Sequence, residues 1–280
     1  MFRKLVKYEW AAMIRSMLPV YAAVIAVSII NSLFMNVGID SKNPVFELWN
    51  WICSSFGGIA IFLYVAVMMA LGAFTVVVIV QRFYKGLLGE EGYLMFTLPV
   101  KTWQLVFSKA LVSFLIGVLS AAAAVLSVGI LMGAQFLEIL SALPYTLGYL
   151  YETAMSYDRV WVIHTICFML ELLATLVFGC FAFFYYVYLA VSLGHLARKY
   201  KAALSVAWYI GINAILGFFT LNLLGAMGSI WNLPISISLP ENGYWEIHVL
   251  GLGMMLSQVI KTVLFSIGTN YILKNKLNLE

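Results

Sequence analysis

Two ionisable residues, Glu171 and Lys261, stand inside long apolar runs, where a charge is costly and so marks either structure or transport chemistry. If both runs are helices entered from the same side, Glu171 lies roughly 15 Å deep and Lys261 roughly 21 Å deep. A buried salt bridge between them is the expected arrangement. A polar contact on a substrate path is a second reading. A proton relay is the third, weakened because one acid and one lysine make a short chain. His164, His195 and His248 are scattered in the sequence, and nothing places any two of them together. Glu90 and Glu91 are adjacent, as in membrane proteases with a double-glutamate motif. Those enzymes set the pair within a helix beside histidine ligands, whereas here it lies in a glycine-flanked loop. No HExxH, GxSxG or P-loop pattern occurs, so neither zinc hydrolysis, serine chemistry nor ATP binding through a P-loop is expected of this chain. Cys53, Cys167 and Cys180 form no CxxC pair and read as small packed hydrophobes, with no metal site implied.

The elements that position these residues follow from composition. Of 280 residues, 64% are hydrophobic and only 10% charged, with a mean hydropathy of +0.98. A soluble domain carries roughly 25% charged residues, so this chain cannot cover a water-facing surface and its solvent is a lipid bilayer. The expected fold is all-α and polytopic. Six runs exceed the ~18-residue threshold for a crossing, at about 17–35, 51–80, 105–132, 161–191, 203–228 and 247–273. Backbone polar groups in hydrocarbon must be satisfied internally, which leaves helices as the spanning structure. Residues 1–16 read as a separate amphipathic helix lying in the interface, because Phe2, Leu5, Val6, Trp10 and Met13 recur at helical spacing. They do not read as a cleaved leader, since the apolar run that follows is too long for one.

Charge placement sets the orientation. Arg3, Lys4, Lys7, Arg15, Arg82, Lys85, Lys101, Lys109, Arg198, Lys199, Lys201, Lys274 and Lys276 fall on one side, against Lys42 and Arg159 on the other. The first side is therefore cytoplasmic, with both termini inside, in a multi-pass protein of the cell membrane. Tryptophans at 49, 51, 161, 231 and 245 mark the outer boundary. Positive charge arranged as short clusters between apolar runs is a topology signal, so no nucleic-acid partner is expected. The outer segments near 134–160 and 229–244, with Pro144, Pro234, Pro240 and Asn242, read as short interfacial or re-entrant pieces. Small residues at Ser113, Gly117 and Ala121, and at Ala66, Ala70 and Ala73, offer surfaces for close helix approach, within the subunit or between two.

The cytoplasmic loop between the second and third crossings, 81–104, is the most informative stretch. Gly86, Gly89 and Gly92 punctuate it, Glu90 and Glu91 precede the apolar run Tyr93–Leu98, and Pro99 stops that run. A short helix over 90–97 follows, with acids at its N-terminal end where the dipole favours them, and Thr102 is the expected N-cap of the third crossing. So many apolar side chains on a short cytoplasmic helix call for a binding partner.

This loop, with Gly89-Glu90-Glu91-Gly92-Tyr93, then Thr97-Leu98-Pro99-Val100 and Ser108-Lys109, resembles that of ABC type-2 export permeases. The six-crossing topology with an N-terminal interfacial helix agrees with that resemblance. It implies a coupling helix that fits a cleft on a separate cytoplasmic ATPase subunit, with Glu90, Glu91, Tyr93, Leu94, Phe96 and Pro99 as contacts. It also implies ATP and Mg bound by that partner, no nucleotide site or enzymatic activity in this chain, and a dimer with a second permease copy or a homologous one. The mostly apolar interior favours export of an amphiphilic or hydrophobic substrate, such as a peptide, lipid or drug. A secondary transporter or channel without an ATPase is the alternative, and a membrane enzyme or assembly factor the third.

Overall fold

The computed structural model of the chain describes residues 2–36, 44–97, 99–156, 159–197, 199–231 and 244–276. The expectations for Lys42, Pro234, Pro240 and Asn242 lie outside the described residues. Among those described, every regular element is helical: α1 (Phe2–Asn36), α2 (Pro44–Phe83) continuing into a π-helical turn (Tyr84–Leu88), α3 (Glu90–Phe96), α4 (Thr102–Met132), α5 (Ala134–Ser156), α6 (Arg159–His195), α7 (Lys201–Trp231) and α8 (Tyr244–Asn275). Six of these, α1, α2, α4, α6, α7 and α8, are long and apolar enough to cross a membrane, as expected.

Two expectations change. No break separates residues 1–16 from the first crossing, because α1 is one continuous helix with Pro19 inside it. Met13, expected to lie in the interface, and Met17, at the start of the expected crossing, are 1% and 0% exposed and pack with Val24, Leu71 and Ile116. That packing carries the helix through the proline, whose missing N–H removes one bond and is tolerated where neighbouring helices support the backbone. The segment after α4, expected to be an outer interfacial or re-entrant piece, is also more regular than that. It forms α5, a 23-residue helix with Pro144 inside it. Most of α5 is exposed, Leu140, Leu147 and Tyr151 included.

The chain packs as two compact units, one of Arg3–Gln81 with Val112–Tyr157, the other of Met1–Phe2, Arg82–Leu111 and Asp158–Glu280. In the first, α4 presents serines seven residues apart to α1 and α2. The hydroxyl of Ser120 meets Tyr21 Oη at 2.8 Å and Thr75 Oγ1 at 3.1 Å. One heptad on, Ser127 Oγ meets Ser28 Oγ at 2.7 Å and Tyr64 Oη at 2.8 Å. Lipid tails are as apolar as the helices, so interhelical polar contacts and close packing decide which faces meet. This serine seam does the work expected of the small-residue stripes. Ala70, Ala73 and Ala121 are exposed within the unit, whereas Ser113 is fully buried.

In the second unit α6 and α8 run parallel. Their cross-helix pairs keep a nearly constant offset of 77 to 84 residues, from His164/His248 and Glu171/His248 to Phe178/Thr262. Tyr186 of α6 donates to the Tyr209 carbonyl of α7, tying the third helix to the pair.

Candidate functional site

The loop after α2 folds as a compact, glycine-dependent bracket. The π turn closes with Gly89 N–H donating to the Tyr84 carbonyl at 2.9 Å, and the backbone then extends at Gly89 before α3 starts. Gly92 N–H donates back to the Gly89 carbonyl at 2.9 Å. A side chain at 92 would place its Cβ 2.5 Å from the Leu87 carbonyl oxygen and 2.8 Å from its carbon, so only glycine lets α3 lie this close to the π turn. Thr97 Oγ1 donates to the Leu94 carbonyl at 2.8 Å and finishes the helix. The expected N-cap at Thr102 moves back by one residue. Lys101 holds that position, its carbonyl accepting from Leu105 at 3.4 Å and its N–H donating to Gln104 Oε1 at 3.2 Å. A glutamine three residues on reaches back to the cap backbone, a capping-box feature that the sequence carries.

The bracket has two unlike faces. Leu87, Leu88 and Gly92 are buried, while Tyr93 and Leu94 are 66% and 68% exposed. Glu91 and Pro99 are exposed beside them and Phe96 is half-buried; Glu90 opens the helix. Five of the six residues expected at the coupling contact thus have some exposed surface for a partner, with Phe96 the least open of them. Ser108 and Lys109, part of the same motif, lie instead at 1% and 2% exposure inside α4.

An aromatic contact that sequence reasoning missed ties this bracket to α6. The Phe83 and Tyr188 rings, both fully buried, stack with centroids 4.0 Å apart and planes 6° from parallel. One residue on, Tyr84 meets the His195 ring edge-on at 5.5 Å. Displacement of the bracket therefore bears directly on the last two turns of α6. The only signal in the sequence was the adjacent aromatic pair Phe83 and Tyr84 at the end of the second apolar run.

At the other end of α6, the expected Glu171–Lys261 pair is not formed. The carboxylate engages a histidine: Glu171 Oε1 lies 2.8 Å from His248 Nδ1, and His248 Nε2 lies 2.9 Å from His164 Nδ1. The reason is axial register. Lys261 follows His248 by thirteen residues, about 20 Å along α8. The 77 to 84 offset sets it beside residues 177–184 of α6, well past Glu171. His248 is 9% exposed, and Gly251 completes the fit, since a Cβ there would strike Glu171 Oε2. That oxygen is buried and has no hydrogen-bond partner among the described residues. His164 and His248, unrelated in sequence, are thus brought together, and His195 is left apart at the far end of α6.

No cluster of three or more His, Cys, Asp or Glu among the described residues is arranged to hold a metal ion. The His248 ring faces its two partners from opposite nitrogens, so the three side chains form a line and do not converge on a point. Two cavities flank α8. One, of about 420 Å³, is lined by Phe107, Phe178, Phe181 and Tyr185 with the hydroxyls of Thr262 and Ser266. The other, of about 720 Å³, lies by Lys101, Trp103, Tyr271 and Lys274. Their linings suit an apolar group with few polar contacts and an anionic group at an interface, respectively.

Six long apolar helices and a bracket with an exposed apolar face define the class: an all-helical polytopic membrane protein. Comparison with known protein families, curated proteins and solved structures finds no match to the chain.

Proposed function

We propose that the chain is the membrane-spanning permease subunit of an ATP-driven ABC exporter, both termini cytoplasmic, in the cell membrane. A separate cytoplasmic ATPase binds ATP and Mg and supplies the motor, and a second permease copy or a homologous one completes the translocation path. The observation that carries this reading is α3, a helix buried on one side and offering Tyr93 and Leu94, about two-thirds exposed, on the other. Seven residues cannot sustain a free helix in water, so the bracket that holds α3 out supports a docking role. The Phe83–Tyr188 stack gives docking a mechanical outlet into α6. The aromatic cavity by α8 supports an amphiphilic or hydrophobic substrate such as a peptide, lipid or drug. The chain has no P-loop, and its own residues do no chemistry in this scheme.

A secondary transporter without an ATPase is the second reading, and the Glu171–His248–His164 chain is what favours it. Co-expression with a Walker-motif ATPase encoded beside this chain separates the two. Copurification that falls at least about tenfold when Glu90 and Glu91 are both changed to Lys, or when Tyr93 and Leu94 are changed to Ala, supports the permease reading. Unchanged association and unchanged coupling of hydrolysis to transport in both variants would remove the bracket from the mechanism.

A further inference from the structure

We propose that Glu171, His248 and His164 together form a binding site for one proton, relayed from the N-terminal end of α6 and stored at Glu171. The site does not depend on whether an ATPase drives the protein. Three buried or half-buried ionisable side chains lie in line at 2.9 Å and 2.8 Å, inside helices long and apolar enough to cross the membrane. Carboxylate and histidine chains in such segments are the usual carriers of protons. His164 lies about two turns closer to the start of α6, and the seven residues to Glu171 span about 10 Å along the axis.

The proton balance is simple. With one proton aboard, the three groups are neutral overall. In one arrangement Glu171 is a carboxylate accepting from His248 Nδ1–H, and His248 Nε2 accepts from Nδ1–H of an imidazolium at His164. Two hops give the other arrangement: the His164 Nδ1 proton passes to His248 Nε2 while the His248 Nδ1 proton passes to Glu171 Oε1. Glu171 is then a carboxylic acid donating to Nδ1, and both imidazoles are neutral. No heavy atom is exchanged and total charge is unchanged. Releasing the proton leaves a single negative charge on Glu171.

Storage, and not passage, follows from the surroundings of Glu171. Its Oε2 abuts Gly251, is buried, and has no hydrogen-bond partner among the described residues. The next hydroxyl along α6, Thr175 Oγ1, donates to the Glu171 carbonyl, and Thr262 donates to the carbonyls of Gln258 and Phe178. On α6 the other ionisable groups nearby are Arg159 and Cys167, both exposed. On α8, Glu246 precedes His248 in sequence and Lys261 lies about 20 Å further along. α7 carries no ionisable residue over 212–231.

The test uses the purified full-length chain in detergent micelles, with an indicator dye counting protons taken up on a jump from about pH 8 to about pH 5. Glu171→Gln should take up one proton fewer than the unaltered chain. His164→Gln should keep the count but slow the uptake by about tenfold or more, because the positioned relay group is gone. Equal counts in Glu171→Gln and the unaltered chain would overturn the site, and an unchanged rate in His164→Gln would overturn the relay. If Glu171→Gln does not fold, a hydrophobic carbodiimide on the unaltered chain replaces it, since the reagent attacks protonated carboxyls. Mass spectrometry should find Glu171 modified, increasingly so on acidification, and an unmodified Glu171 would refute the proposal.

Discussion

Gly92→Ala isolates the bracket of the π turn and α3 from the rest of the molecule. The new methyl would lie 2.5 Å from the Leu87 carbonyl oxygen and 2.8 Å from its carbon, both well inside the 3.4 Å of ordinary contact. The obstacle is backbone, so no rotamer change clears it. Overpacking of this kind costs about 1–3 kcal/mol. Against it stands the helical preference of Ala over Gly, about 0.8–1 kcal/mol. The clash wins by about 1 kcal/mol, and the cheapest relief is for α3 to swing away and give up the Gly92-to-Gly89 hydrogen bond. Local opening about 1 kcal/mol easier corresponds to about fivefold faster amide exchange. Hydrogen–deuterium exchange of a peptide covering 89–96 should therefore accelerate by about that factor, while peptides from α6 and α8 and the thermal midpoint stay unchanged. Under the permease reading the partner ATPase, assembled with the variant, hydrolyses ATP without export. Unchanged or greater protection of 89–96 would show that Gly92 is not there for close approach.

Phe83→Ala removes a fully buried ring stacked on Tyr188 and should destabilise by about 3 kcal/mol in a detergent-unfolding titration, the low end for such truncations because lipid, not water, is the reference. A loss under about 0.5 kcal/mol would show that the stack is not a link between the bracket and α6. Ser127→Ala leaves the Tyr64 hydroxyl without that partner and should cost about 1–2 kcal/mol, because Ser127 joins α1 and α2 at once. Stability equal to the unaltered chain would refute the serine seam as the organiser of that unit.

Local chemistry made much of this protein legible without coordinates. Run lengths of apolar residues locate six crossings because spanning a bilayer demands about 20 residues, whatever the neighbours. Gly89 and Pro99 bound a short helix because backbone freedom and its loss are properties of single residues, and α3 appears where they place it. Ser120 and Ser127 stand at heptad spacing in the sequence, but their partners on α1 and α2 do not show there. α5 reads as an outer loop when Pro144 is taken as a breaker, yet the helix runs through it.

What only the tertiary structure decided is register. Glu171 and Lys261 stand at similar counted depths, and a difference of a few residues between the helix starts sends the carboxylate to His248 instead. Two parallel helices can slide by a turn with little change in apolar burial, so hydropathy is blind to their offset. The close approach at Gly251 and the contacts from Phe178/Thr262 to Gly268/Leu189 set it. Those contacts join residues about 80 positions apart, a distance over which sequence spacing carries no geometric information.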